Sequence, residues 1–183
     1  SEHEADAYQR SYLDLIEGLG AAAAGWLEAP TLDSDDRGPI SRVNVSVKLS
    51  ALSSRSDPCD PQGSSIAVRE RLRPILRLAR AHGAFVNVDM ESHAFKDLTL
   101  RIFTDVLMEE EFRHWPDVGI AIQAYLRSCG DDLARLAEWA ERRGTPVWVR
   151  LIKGAYWDYE TIIAAQNGWP APVFTDKPAT DAN

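Results

Sequence analysis

The fold is decided by the alternating segment Arg42-Val-Asn-Val-Ser-Val-Lys-Leu49. An apolar residue, mostly β-branched, stands at every second position, and this period predicts a strand with one apolar and one polar face. Three later segments have the same character and predict three more strands, at residues 84–89, 119–125 and 146–152.

Helical segments separate these strands. Apolar spacing predicts a helix before the first strand and one after each strand, at residues 4–27, 66–82, 96–114, 131–143 and 157–167. Pro74 lies inside the second helix, where it is expected to kink the helix or to mark a later start, and Asp131 or Asp132 is expected to cap the fourth helix. The Ser-, Asp- and Pro-rich residues 53–65 predict a loop.

The alternation of strands and helices predicts an α/β fold in which parallel strands are joined by right-handed helical crossovers. Two architectures satisfy this pattern: an open doubly wound sheet and a TIM-type β/α barrel. No glycine-rich turn joins a strand to a helix, so the Rossmann dinucleotide-binding fingerprint is absent.

Composition narrows the classes of function. The 183 residues carry a formal net charge of −8, which disfavours nucleic-acid binding because phosphates select a basic surface. The sequence contains no apolar run long enough to span a bilayer, and its first residues do not resemble a signal peptide. Cys59 and Cys129 are isolated, which predicts free thiols in a reducing cytoplasm, and the scattered histidines disfavour a metal site.

A polar residue stands near the carboxyl end of each predicted strand: Lys48, Asp89, Gln123 and Arg150. Each lies on the face opposite the apolar residues of its strand. The four apolar faces are expected to be buried against the helices, and the four polar side chains to point to one interior. In β/α barrels this end carries the active site. The alternative is a structural plug of salt bridges, because ion-pair networks also occur without catalytic roles.

These four side chains suit an anionic substrate beside a planar cofactor. The guanidinium of Arg150 fits an anion or an electron-rich ring nitrogen, and Lys48 fits a carboxylate. Asp89 can hold either cation in place. Gln123 can both donate and accept hydrogen bonds at the edge of a heteroaromatic ring.

The turn after the fourth strand has a second set of candidate residues. Gly154 and Ala155 are small, so the backbone there can approach a ligand closely. Tyr156 and Trp157 supply flat apolar surface beside it. An ordinary strand-to-helix turn with aromatic packing explains the same residues without a ligand.

Four segments, in this order, resemble the proline dehydrogenase family: Ser46-Val-Lys-Leu-Ser-Ala-Leu52, Asn87-Val-Asp-Met-Glu91, Gln123-Ala-Tyr125 and Val149-Arg-Leu-Ile-Lys-Gly-Ala-Tyr-Trp-Asp158. The ending Trp157-Asp158 is more similar to the bacterial bifunctional proline utilisation A flavoenzymes than to the stand-alone enzymes. The resemblance extends from about residue 5 to the end of the sequence.

The resemblance implies a distorted (β/α)8 barrel that binds FAD and oxidises L-proline to 1-pyrroline-5-carboxylate. Hydride would pass to the flavin N5, and a quinone-type acceptor would reoxidise the flavin. The implied catalytic residues are Arg150, near the flavin N5, and Asp89, which would organise the lysine and the arginine. Lys48 would pair with the proline carboxylate, and Tyr156 would pack against the proline ring. The implied cofactor-binding residues are Gln123, Arg150, Lys153, Gly154, Ala155 and Trp157.

The family barrel has eight strands, whereas this sequence predicts four. Residues 1–183 are therefore interpreted as an incomplete barrel domain, with 1–40 as an N-terminal helix and lead-in and 41–183 as the first four βα units. Such a part is expected to be inactive alone and to associate through its open strand edges. The implied location is cytoplasmic, either free or peripheral at the inner face of the membrane.

Two other functions remain open on the residues alone. A Schiff-base aldolase would use Lys48 or Lys153 as its nucleophile. A non-enzymatic interaction protein would need no catalytic group at all. The order of the four motifs favours the proline dehydrogenase interpretation over both.

Overall fold

The computed structural model describes residues 1–36, 38–54 and 60–183, and only the backbone of Pro61. The helices are α1 (Glu2–Ala23), α2 (Pro61–Ala81), α3 (His93–Leu107), α4 (Cys129–Arg143), α5 (Trp157–Asn167) and α6 (Lys177–Ala182). The strands are β1 (Ser34–Asp35), β2 (Gly38–Pro39), β3 (Asn44–Val47), β4 (Phe85–Val88), β5 (Val118–Gln123) and β6 (Trp148–Ile152). A short 3-10 helix, Leu49–Leu52, follows β3.

The sheet has the predicted strands in the order of the chain, β3-β4-β5-β6. β3 pairs with β4 in parallel, with Val45 opposite Val86. Together with the intervening helices and α1, this confirms the α/β class with four parallel strands and an N-terminal helix. The short antiparallel pair of β1 and β2 was not predicted.

The contacts within the chain define two compact units. The first contains Ser1–Val88 with Asp117–Gly119, and the second contains Asp89–Pro116 with Ile120–Asn183. These units differ from the division at residue 40 that the sequence suggests, and the predicted domain boundaries remain a prediction.

In the first unit, β3 follows the predicted alternation. Val45 and Val47 are buried, whereas Asn44 and Ser46 on the opposite face are exposed. Apolar residues of α1 and α2 in the same unit are buried as well, including Ile16, Leu72, Ile75 and Leu76. Side chains alternate between the two sides of a strand, so the apolar residues at every second position all lie on the buried side.

Helix α2 begins earlier than its apolar pattern indicates. The Asp60 carboxylate accepts a hydrogen bond from the Gly63 backbone N–H at 3.0 Å, which makes Asp60 the N-cap. Pro61 occupies the first turn, where its missing N–H costs nothing. The predicted loop over residues 53–65 is therefore wrong from Pro61 onward. Pro74 lies inside the helix, so it does not mark a later start.

An ion-pair cluster joins α1 to α2. Arg71 on α2 contacts Glu2 at 2.8 Å and Asp6 at 2.7 Å on the first turns of α1. Gln9 also donates to the Arg71 carbonyl at 2.9 Å. The two helices are thus fixed in register by polar contacts beside their apolar core.

In the second unit, tertiary contacts determine where α3 and α4 begin. The Glu160 carboxylate of α5 accepts from the His93 backbone N–H at 2.6 Å and satisfies the first turn of α3. Helix α4 has Ser128 as its N-cap, so the expected capping by Asp131 or Asp132 is wrong. Asp132 instead is buried in the first turn, where it pairs with Lys96 of α3 at 2.9 Å.

The strands β5 and β6 differ in burial. Every residue of β5 is buried. The apolar face of β6 is not buried by helices as expected: Val149 is 40% and Leu151 is 53% exposed. β6 is the last strand in the sheet order, so among the described residues it has a hydrogen-bonded strand on one side only. The prediction that all four apolar faces are buried by helices is therefore wrong for β6.

The most buried cation of the second unit is Arg143, which is 1% exposed. Its guanidinium donates to the carbonyls of Phe112 at 2.9 Å, Trp115 at 2.7 Å and Leu107 at 3.2 Å. Burial lowers the pKa of Arg143 to about 10. The side chain thereby holds the segment between α3 and β5 against the end of α4.

Cys129 is a buried free thiol at the start of α4, and burial raises its pKa. The corresponding prediction for Cys59 lies outside the described residues. Among the helices of the described ranges, none combines the length and apolarity that a bilayer crossing requires.

Candidate functional site

Two of the predicted residues lie together: Asp89, directly after β4, and Arg150, in the middle of β6. Arg150 forms an ion pair with Asp89 through its Nη2 and the Asp89 Oδ1. Asp89 is mostly buried, whereas about half of the Arg150 side chain is exposed. The carboxylate therefore holds the guanidinium in place and leaves part of it accessible to a ligand.

Gln123, at the end of β5, is 1% exposed, and neither its Oε1 nor its Nε2 has a hydrogen-bond partner among the described residues. A buried amide without partners costs about 1–3 kcal/mol for each unsatisfied group. Such a group is retained where a ligand or water supplies the missing partner. Gln123 thus indicates a ligand with both an acceptor and a donor at this end of the sheet.

The turn after β6 is packed against Tyr125. The Tyr125 backbone N–H donates to the Lys153 carbonyl at 2.9 Å, and the preceding Ala124 N–H donates to the Ile152 carbonyl at 2.7 Å. Gly154 has a φ of 126°, and its α-carbon faces the Tyr125 ring without space for a side chain. Burial raises the pKa of Tyr125 to about 12.

A cavity of about 290 Å³ lies between this turn and the segment that leads into α6. Lys153 contacts Asp181 at 2.6 Å, and Lys177 pairs with the other carboxylate oxygen of Asp181. Trp157 donates from its Nε1 to the Phe174 carbonyl at 2.8 Å. The walls of the cavity include Lys153, Gly154, Trp157, Lys177 and Thr180. Three of the predicted cofactor-binding residues therefore line one cavity.

Sequence reasoning did not assign roles to Lys177, Thr180 and Asp181. The spacing of Lys177 and Asp181 by four residues was the available signal, because it places both on one helix face. The helix itself is only six residues long. Its residues are mostly polar or small, so they show no apolar spacing from which a helix could be predicted.

Three further predicted residues, Ala155, Tyr156 and Lys48, are not among those that line this cavity. Ala155 is exposed, and Tyr156 is half-buried immediately before α5. Lys48 belongs to the first unit, where its side chain is exposed and its backbone N–H donates to the Tyr12 hydroxyl at 3.1 Å. Its convergence with Asp89, Gln123 and Arg150 remains a prediction.

A larger cavity, of about 600 Å³, lies in the first unit. Its walls include Arg42, Asp33 and His82, and it contains none of the predicted site residues. Arg42 is already paired with Asp33 there. Size alone therefore does not identify the functional site.

The second-unit residues fit a flavin. The unpartnered Gln123 amide matches the donor and acceptor edge of a heteroaromatic ring. The ammonium groups of Lys153 and Lys177 suit the phosphates of a dinucleotide, although Asp181 lies between them. The described residues contain no cluster of three or more His, Cys, Asp or Glu side chains arranged to hold a metal ion.

The comparisons of the sequence with known proteins agree on one family. The sequence model of the family described as proline dehydrogenase matches residues 1–183. The bifunctional protein PutA of Escherichia coli K12 is 31% identical over 181 residues, which are 98% of this chain and 13% of the relative. Proline dehydrogenase 1 of Bacillus subtilis strain 168 is 26% identical over 166 residues, or 91% of this chain and 48% of that protein.

Solved structures agree in fold. Proline utilization A from Bdellovibrio bacteriovorus, inactivated by N-propargylglycine, superposes with a TM-score of 0.97 at 48% identity, covering 100% of this chain and 19% of that one. A mutant of the Bradyrhizobium japonicum protein gives a TM-score of 0.85 at 30% identity, covering 99% and 18% respectively. These likenesses confirm the predicted TIM-type fold class. The chain spans less than a fifth of the length of these two structures.

Proposed function

Because this chain belongs to the proline dehydrogenase family, we propose that its protein oxidises L-proline to 1-pyrroline-5-carboxylate and uses FAD as the redox cofactor. The match of the family model over residues 1–183 is the observation that carries the proposal. The unpartnered amide of Gln123 supports the cofactor, since it needs a polar ring edge that the described protein residues do not supply.

The cofactor site proposed here consists of Gln123, Arg150, Lys153, Gly154, Ala155 and Trp157. Gln123 supplies a hydrogen-bonding edge, and Arg150 supplies a fixed positive charge beside the ring. Lys153, joined by Lys177 from α6, provides cationic groups for the phosphates. FAD, when bound, supplies the acceptor for the two electrons that leave proline.

The substrate groups proposed are Lys48 for the carboxylate and Tyr156 for the apolar ring. Asp89 keeps Arg150 oriented through their ion pair, so that its donors stay aimed while substrate binds and product leaves. The electron acceptor that follows the flavin is proposed to be a quinone.

The test is a spectroscopic titration of the intact protein. We expect flavin absorbance in the purified protein, and bleaching of that absorbance by L-proline under anaerobic conditions. D-proline serves as the matched control, because it has the same groups in the mirror-image arrangement. A purified protein without flavin, or with flavin that L-proline does not reduce, would contradict the proposal.

N-Propargylglycine provides a second test, since the related Bdellovibrio bacteriovorus protein is inactivated by it. We expect time-dependent loss of proline oxidation, with protection by excess L-proline. Inactivation that proline does not slow would show that the compound acts outside the proposed site. A quinone analogue should then restore the oxidised flavin spectrum of untreated, proline-reduced protein.

A further inference from the structure

A second cavity in the same unit lies between α3 and α4, with a volume of about 220 Å³. We name it the α3–α4 groove and define it by Arg101, Thr104, Asp132, Arg135, Trp139 and Arg142, which line it. None of these residues takes part in the proposed flavin or proline site. The groove therefore needs a separate explanation.

Three guanidinium groups line this groove although the chain has a net charge of −8. Arg101 and Arg142 form no ion pair within the described ranges, even though Glu138 stands four residues before Arg142 on the same helix. Arg135 contacts Asp132. Like charges that line one small cavity repel one another unless an anion lies between them.

Asp132 does not supply that anion. Its carboxylate is buried and already pairs with Lys96 at 2.9 Å, and it also accepts from the Ser128 hydroxyl at 2.9 Å. The contact with Arg135 is a third interaction of the same group. Asp132 therefore leaves Arg101 and Arg142 without an ion pair in the described part of the chain.

Trp139 gives an independent indication of a ligand. It is 7% exposed, it lines the groove, and its indole Nε1 is buried without an acceptor among the described residues. The ring itself is held by Phe103, with ring centroids 5.8 Å apart, and by the Arg143 guanidinium 5.7 Å from the Trp139 centroid. The ring is thus fixed by packing, while its one hydrogen-bond donor remains unused.

We propose that the α3–α4 groove binds a small oxyanion that carries a phosphate or carboxylate group. Arg101 and Arg142 provide the charge, and the Trp139 indole N–H provides a neutral donor. Arg135 adds a third guanidinium beside Asp132. A cavity of about 220 Å³ suits a small anion.

The test is calorimetric titration of the intact, flavin-loaded protein with inorganic phosphate and, separately, with succinate, in a buffer of low chloride. We expect saturable binding of at least one of the two. The double substitution Arg101→Gln and Arg142→Gln should weaken it by about tenfold or more, since loss of about 1.4 kcal/mol corresponds to that factor. Trp139→Phe keeps the ring and removes the donor, so it should weaken binding by a smaller factor.

Arg10→Gln is the matched control, because Arg10 is an exposed cation on α1 that does not line the groove. Circular dichroism of each variant checks that it is folded. Crystals soaked in tungstate should show an anomalous peak between Arg101 and Arg142. Equal affinity of the wild-type protein and the double variant, or failure of both anions to bind, would overturn the proposal. Since the groove shares no residue with the flavin site, either proposal can fail alone.

Discussion

The ring of Tyr125 occupies the space that a side chain at Gly154 would need, since a Cβ atom on Gly154 would lie 2.5 Å from the Tyr125 Cε1. The glycine also has a φ of 126°, which side chains with L configuration rarely adopt. The position of the Tyr125 ring at the mouth of the candidate cofactor site therefore requires a residue without a side chain at position 154. The small residue predicted for ligand approach has a packing role as well.

Gly154→Ala is expected to lower both the stability of the protein and its affinity for flavin, because the new methyl group displaces the Tyr125 ring and the turn beside it. Thermal denaturation and flavin titration measure the two effects. Gly168→Ala is the control: Gly168 also has a positive φ, of 67°, but nothing lies within 4 Å of the position that its Cβ would take. If both substitutions had equal effects, backbone strain alone would explain them.

Substitution of Gln123 by Met is expected to stabilise the cofactor-free protein but to weaken its binding of flavin. In cofactor-free protein it removes a buried amide that lacks partners, so the free energy of unfolding should rise by about 1–3 kcal/mol. In the complex it removes the groups proposed to bind the flavin, so the flavin Kd should increase. Chemical denaturation of the apoprotein and fluorescence titration of flavin measure these. A loss of stability in the apoprotein, or an unchanged flavin Kd, would contradict the proposed role.

Arg150→Met should slow the reduction of flavin by proline, because it removes a donor held in place by Asp89. Loss of such a preorganised donor typically costs roughly 2.7–4 kcal/mol of activation free energy. Stopped-flow measurement of flavin bleaching gives the rate. An unchanged rate of bleaching in Arg150→Met would show that its assignment is wrong.

Lys48→Ala should instead raise the KM for proline with a smaller change in kcat, since a carboxylate partner acts in the ground state and the transition state alike.

Arg143→Met should destabilise the protein by about 3 kcal/mol, because it leaves several buried carbonyl groups without their charged donor. Urea denaturation measures the change. The neighbouring Arg142→Met is the control, since Arg142 is exposed and forms no ion pair in the described part of the chain. Comparable losses in the two variants would mean that the buried hydrogen bonds contribute little.

The α1–α2 ion pairs predict a dependence of stability on pH. The pKa of Glu2 is lowered from 4.5 to about 2 by hydrogen bonds from Ser54 and Arg71. Because the folded pKa lies below the unfolded one, the contribution of Glu2 is fully present above about pH 4.5 and is lost as the pH falls towards 2. Glu2→Gln should therefore reduce stability at neutral pH and have no effect near pH 2. Denaturation curves across this range, with Glu17→Gln as an exposed control on the same helix, measure the difference.

Much of the fold could be predicted from local sequence. The alternation in residues 42–49 predicted β3 and its buried face, because side chains of a strand alternate between its two sides. The last long helix was predicted at its observed bounds, Trp157–Asn167, where Gly168 ends it in a left-handed conformation. Local backbone preferences and apolar period suffice for such elements. The same alternation placed Asp89 and Gln123 at strand ends, where the structure has them, whereas Arg150 lies in the middle of β6.

Contacts between distant residues decided the rest. The start of α3 depends on Glu160, which lies 67 residues away, and no local signal predicts it. The burial of Asp132 beside Lys96, the lack of space at Gly154 and the link from Lys153 to Asp181 are of the same kind. A residue's type and neighbours determine which backbone it favours and which face it occupies. Which group it meets there depends on the packing of elements far apart in the chain, and only the tertiary structure determines that packing.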